Sequence, residues 1–258
     1  MKPDQIAAQL YTLRDHLKTV EDVATTLRKV REIGYTAVQV SGLSAPLSSE
    51  ELKVMLDDAG LVCCATHEPT SVILDEPLRV VERLHALDCR YTAVPHPGAI
   101  PLDTLAAIKA FAARIAQAGT VLHENGLALT YHNHANEFAR VEGHLVLDVI
   151  YEETTPQQLG GEIDTYWVQY GGGDPVAWCR KLSGRLPLIH LKDYVATLRN
   201  EAMFCEVGAG NLDFGAICAA AETAGCEWFI VEQDTTPSDP LDSLRQSYDY
   251  LVTTLCSR

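Results

Sequence analysis

Residues 131–234 hold four short apolar runs that end on polar groups: Tyr131-His132-Asn133-His134, Ile163-Asp164-Thr165, Ile189-His190-Leu191-Lys192-Asp193 and Val231-Glu232-Gln233-Asp234. Each run reads as a strand, and each closes on side chains that bind metals or move protons. They recur roughly every 30–40 residues, the length of a strand and its return helix. Four such endings in step predict one site at one rim of a barrel, because α/β barrels carry their working residues at the C-terminal ends of the strands.

Outward from this stretch the same alternation continues. Ile6–Leu13, Ala37–Val40, Leu61–Thr66 and Tyr91–Val94 read as strands one to four, with helices over Val20–Ile33, Ser49–Ala59, Glu76–Leu87 and Leu102–Glu124. Leu127–His132, Gly161–Asp164, Pro187–Leu191 and Trp228–Val231 read as strands five to eight. Their helices are His144–Glu152, Val176–Leu182, Phe214–Ala224 and Asp242–Thr254. Gly34, Gly60 and Gly225 follow helices as C-terminal glycines do, and Asp174-Pro175 reads as a cap and first turn. Right-handed crossovers close eight such strands into a single (β/α)8 TIM barrel spanning residues 1–258. A doubly wound open sheet would show a phosphate-binding G-x-G-x-x-G after the first strand, and none is there.

Composition agrees. The 258 residues are 47% hydrophobic, enough for the core of one such barrel. A net charge of −15 argues against a nucleic-acid partner, whose phosphates would be repelled. No long apolar run suggests a signal peptide or membrane span, so a cytoplasmic location is expected. The eight cysteines lack C-x-x-C spacing and read as buried reduced thiols rather than a zinc site. The expected partner is a small molecule, and a homo-oligomer is compatible with this reading.

In such a barrel His132, Asp164, His190 and Glu232 come from neighbouring strands. Period-two alternation places His134 with His132, Lys192 with His190 and Asp234 with Glu232. Two imidazoles and two carboxylates form a donor set suited to one divalent ion: Mn²⁺ first, with Mg²⁺, Co²⁺, Fe²⁺ and Zn²⁺ also matched. Each residue alone has an ordinary structural role, Asp164 as a turn or helix cap for instance. A charged Glu232 closing an apolar strand must be paired or metal-bound. The turn Gly208-Ala209-Gly210 before a helix is a candidate anion site.

Further segments add to these. Gln9-Leu10-Tyr11-Thr12-Leu13-Arg14, Val38-Gln39-Val40-Ser41-Gly42, Tyr131-His132-Asn133-His134 with Glu137-Phe138, Asp164-Thr165-Tyr166-Trp167, Gly172-Gly173-Asp174-Pro175, His190-Leu191-Lys192-Asp193 and Val207-Gly208-Ala209-Gly210 span nearly the whole chain. Together they resemble the xylose isomerase-like TIM-barrel superfamily of sugar isomerases and epimerases, which includes endonuclease IV. The resemblance implies metal ligands at Asp164, His190 and Glu232. It puts His132 where many relatives carry Glu, and Gln39 likewise. In ketose epimerases of the family the first and last glutamates are the acid/base pair. The resemblance therefore implies Glu232 as one base and leaves the other role to Glu137, His134 or His132. Tyr11, His67, His96, Trp167 and Lys192 are expected to bind substrate, with Phe138 as a further ring wall. The implied activity is sugar or sugar-phosphate isomerisation or epimerisation through an enediolate. A lyase or dehydratase acting on a keto-glycoside or keto-inositol is the alternative. The endonuclease reading is disfavoured, since Trp167 replaces a cluster histidine and Tyr194–Asn200 lacks a D-x-H segment. A non-catalytic sugar-binding protein would keep the pocket and lack the metal.

Overall fold

The computed structural model describes residues 1–256. Eight parallel strands close on themselves: β1 Ile6–Gln9, β2 Ala37–Val40, β3 Val62–His67, β4 Tyr91–Val94, β5 Ala128–His132, β6 Gly160–Asp164, β7 Leu188–Leu191 and β8 Trp228–Val231. Every strand pairs with its sequence neighbours, and β8 returns to β1 through Ile6 opposite Phe229. This is the expected (β/α)8 barrel. Alternate strand residues point in or out. Ala7, Ala37, Ala65, Leu188 and Ile230 form a small cluster apart from the main apolar core. The main core joins strand residues such as Val38, Ile189 and Phe229 to the helices.

Local chemistry explains the element boundaries. Helix Val20–Ile33 begins at Thr19, whose side chain accepts from the Asp22 N–H, and it buries Val23, Leu27, Val30 and Ile33. The expected first strand over Ile6–Leu13 is too long. The strand stops at Gln9, whose side chain caps a 3₁₀ turn over Leu10–His16 by accepting from Tyr11 N. That turn lifts Tyr11 and Arg14 over the barrel mouth. Pro77 divides the expected Glu76–Leu87 helix from a shorter one, leaving Thr70–Asp75 and Pro77–Ala86. Thr104 caps the long helix, which starts at Leu105. That helix, Leu105–Glu124, is long and apolar enough to cross a membrane. Here it is a return helix of the barrel, with Ile108, Phe111, Ile115 and Leu122 buried. His144–Leu145 pairs with Arg140–Val141 before the helix Val146–Glu152. The last helix runs from Pro240 to Tyr250 and ends in a π turn over Leu251–Leu255.

Two elements at the rim were not legible in the pattern. Helix Thr165–Tyr170 follows β6 directly, capped by Asp164. A hairpin, Asp193–Ala196 with Ala202–Cys205, follows β7. All eight cysteines are free thiols, six of them buried.

Candidate metal centre and its cavity

The ends of β5, β6, β7 and β8 bring His132, Asp164, His190 and Glu232 together, with one ligand atom from each within 4.8 Å of the others. All four are buried. His132 and Glu232 line a cavity of about 480 Å³ at the C-terminal rim, and Asp164 and His190 are fully buried beside them. Tyr11, His67, His96, His134, Lys192 and Asp234 also line it. His134 lines it with His132 and Asp234 with Glu232, as the period-two alternation expects, whereas Lys192 lines it without His190.

Asp164 has its expected role as a cap. Its Oδ1 accepts from Trp167 N at 2.9 Å and caps the rim helix. Its Oδ2 is buried and faces the Lys192 ammonium at 3.0 Å, whereas His132 Nδ1 is buried with no hydrogen-bond partner. An unpartnered buried polar atom costs about 1–3 kcal/mol. The orphaned His132 nitrogen, with the second imidazole and the two carboxylates beside it, fits a divalent cation.

The charge balance centres on Lys192. Its ammonium is 2.7 Å from Glu232 Oε2, 3.0 Å from Asp164 Oδ2 and 3.2 Å from Asp234 Oδ1. Burial opposes its charge, but the three carboxylates outweigh this and raise its pKa. Burial likewise opposes ionisation of Glu232, yet Lys192 and His190 hold its carboxyl well below the usual range. Burial pushes Asp164 up to about 6, with Lys192 opposing. Burial also disfavours an imidazolium at His190, but Glu162 and Glu232 overcome it and raise the ring to about 10. His132 and His134 go the other way. Burial and neighbouring cationic groups lower both, His134 to about 4.

One residue of this floor was missed in the sequence. Glu162, fully buried, lies two positions before Asp164 on β6. Its Oε2 is 2.6 Å from His67 Nε2, and its Oε1 accepts from Gln39 Nε2 at 2.5 Å. With His67, His132 and His190 it forms a second group whose ligand atoms lie within 4.8 Å. Burial would raise its pKa, but His67 and His190 hold it at about 2. The alternation that paired His132 with His134 also points Glu162 inward with Asp164.

Other expected residues lie elsewhere. Glu137 is not at the cavity. It is fully buried under the loop, where its oxygens accept from Tyr131 Oη at 2.9 Å, His134 N at 2.8 Å and Asn136 Nδ2 at 3.2 Å. Phe138 packs on Trp178 and beneath Gly171 and Gly173, so it belongs to the core. Trp167 stands behind His134, with ring centroids 5.3 Å apart, as part of an aromatic cluster with Tyr166, Tyr170 and Phe204. Tyr11, His67 and His96 do line the cavity. The glycine turn does not present its N–H groups to a ligand. The carboxylate of Asp193 fills it, accepting from Gly208 N at 3.1 Å, Gly210 N at 3.0 Å and Leu212 N at 3.2 Å.

Comparison with known proteins agrees with this fold. A sequence model of the family described as xylose isomerase-like TIM barrel matches residues 27–254. An inosose dehydratase of Geobacillus thermodenitrificans is 26% identical over 150 residues, 52% of this chain and 50% of that protein. The chain thus matches about half the length of that relative. An inosose dehydratase of Geobacillus kaustophilus is 25% identical over 264 residues, covering 87% of this chain and 85% of the relative. Among solved structures, a sugar phosphate isomerase/epimerase of Parabacteroides distasonis superposes with a TM-score of 0.84 at 22% identity, covering 99% of this chain and 96% of the other. A xylose isomerase-like TIM-barrel protein of Mycobacterium smegmatis in complex with magnesium superposes with a TM-score of 0.74 at 15% identity, covering 98% and 97%.

Proposed function

This chain belongs to the xylose isomerase-like TIM-barrel family, and on that premise we propose that it is a divalent-metal-dependent enzyme that removes the proton beside the carbonyl of an uncharged keto-sugar or keto-inositol. The carrying observation is the cluster His132, Asp164, His190 and Glu232, of which His132 and Glu232 line a polyol-sized cavity. A divalent ion held by these four would polarise the substrate carbonyl and stabilise the charge of the enolate. Glu232 is the base: it borders the cavity, and Lys192 keeps it ionised. His67, His96 and His134 surround the substrate with hydrogen-bonding rings.

The fate of the enolate follows from the number of bases. Two-base epimerisation needs a second base across the substrate, a glutamate in many relatives. His132 stands where many relatives have that glutamate, and Glu137 is withdrawn into the core. One carboxylate base suits β-elimination. Glu232 takes the α-proton as the C–H electrons form the enolate, the enolate re-forms the carbonyl as the carbon–carbon double bond forms, and the β-oxygen leaves as water or an alcohol with the proton returned by Glu232. A dehydratase or lyase is therefore the first reading, and the names of the curated relatives agree with it. Isomerisation or epimerisation is the second, supported by His134, a neutral imidazole on the cavity wall that offers a second proton acceptor.

An uncharged substrate follows from how the cations are engaged. Lys192 is held by three carboxylates. Arg14 donates to the carbonyls of Tyr11 at 2.9 Å and Asp234 at 2.8 Å. Arg83 is paired with Glu68 at 2.7 Å. Asp193 occupies the glycine turn that would otherwise receive a phosphate.

The test is a panel of keto-inositols and keto-glycosides, each with its phosphorylated counterpart, incubated with Mn²⁺ in D₂O and followed by NMR. The expected result is deuterium at the α-carbon of neutral substrates, with an unsaturated or dehydrated product. Product of unchanged composition but inverted configuration would favour the epimerase. No exchange with any keto-polyol by metal-loaded protein would overturn the proposal.

A further inference from the structure

We infer that the buried row Gln9–Gln39–Glu162 is a positioning device that fixes which ring nitrogen of His190, and which of His67, carries the proton. The polarity of the row is set at its start. Gln9 Oε1 accepts from the backbone N–H of Tyr11 at 3.2 Å. A backbone N–H can only donate, so this amide atom is the oxygen. The other is Nε2, which donates to Gln39 Oε1 at 2.7 Å. Gln39 is thereby oriented in turn, and its Nε2 donates to Glu162 Oε1 at 2.5 Å.

His190 Nε2 lies 2.6 Å from the same Gln39 oxygen. That oxygen carries no hydrogen, so His190 Nε2 must carry one. His190 Nδ1, 3.0 Å from Glu232 Oε2, is the nitrogen left to ligate. At the far end Glu162 Oε2 is 2.6 Å from His67 Nε2, and a carboxylate there accepts. His67 therefore holds a proton on Nε2, and its neutral ring, which lines the cavity, presents Nδ1 as an acceptor. Gln9, Gln39, Glu162 and His190 all have zero exposure, so water cannot enter to reverse the row. An outer hydrogen bond of this kind fixes a metal-binding histidine in its ligating tautomer. At His67 the same row selects a substrate hydroxyl, a donor, over a carbonyl. That last step rests on the keto-polyol reading, whereas the tautomer assignments do not.

The experiment is long-range ¹H–¹⁵N correlation spectroscopy of protein labelled with ¹⁵N-histidine, metal-free and loaded with diamagnetic Zn²⁺. The expected result is a proton on His190 Nε2 in both states, none on Nδ1 with Zn²⁺, and the Nε2–H form at His67. A Gln39→Met substitution, similar in volume, should release the His190 tautomer and weaken Zn²⁺ binding by about 10–100-fold. His190 with its proton on Nδ1 in the zinc-loaded protein, or His67 as the Nδ1–H form, would overturn the inference. So would rapid exchange between tautomers at either ring. The wild-type spectra decide alone if Gln39→Met does not fold. Because they need no substrate, they stand whether or not the keto-polyol panel yields a product.

Discussion

At the residue scale the governing feature is an ammonium group among acids. Lys192 is 1% exposed and touches Asp164, Glu232 and Asp234. A buried ion set of this kind adds little net stability over an apolar replacement, but removing one partner leaves the others uncompensated. Lys192→Met should therefore destabilise the metal-free protein by about 3–5 kcal/mol. A divalent ion supplies the missing positive charge, so Mn²⁺ should restore most of that loss. Thermal unfolding with EDTA and with Mn²⁺ checks both. Equal destabilisation in the two conditions would mean that the carboxylates do not share an ion.

At the element scale the rim is built by a side chain acting as a ligand to its own loop. Asp193 opens the hairpin after β7, and its carboxylate organises residues 208–212. This approach requires glycine. Gly208 has a φ of +87°, and a Cβ on Gly210 would collide with Tyr194 O and Asp193 Oδ1. Gly210→Ala should cost at least about 1–3 kcal/mol, as overpacking does. Gly215→Ala is the control. That glycine is exposed near the start of helix Phe214–Ala224, and its added Cβ would meet only Asp213 Oδ1, at 3.3 Å. It should be neutral or stabilising. Urea midpoints compare the two, and equal shifts would show that the Asp193 turn is not the constraint.

At the scale of the whole molecule four strands share one site, so binding there is coupled to folding. An ion that binds the folded state alone stabilises it by about 2.7 kcal/mol at a concentration 100 times its dissociation constant. The pH dependence follows from His190. Its ring is raised from 6.5 to about 10 in the folded protein, despite burial, by Glu162 and Glu232. A raised pKa gives stability that is fully present below 6.5 and lost as pH climbs toward 10. The metal must displace this proton. Metal-free stability should then fall from pH 6.5 to 10 while the gain from Mn²⁺ grows. Melting temperatures across that range, with and without Mn²⁺, test the pair of trends. A gain independent of pH would remove His190 from the ligand set.

The sequence by itself determined the barrel and the identity of its working rim. Strand and helix periodicities are local, and Ala37–Val40, Tyr91–Val94 and Trp228–Val231 form as their patterns predict. The polar endings of β5 to β8 were legible for the same reason: parallel strands in a closed barrel must bring equivalent ends together. Only the tertiary structure decided which polar groups work and which are consumed by the fold. Glu137 and Asp193 look as reactive in sequence as Glu232, but loop closure turns their oxygens onto backbone N–H groups. Glu162 and Gln39 look like ordinary strand residues, but the radius of the barrel brings their side chains within 2.5 Å. That pairing joins residues 123 positions apart; alternation points each side chain inward, but the partner it meets across the barrel is not written in either strand.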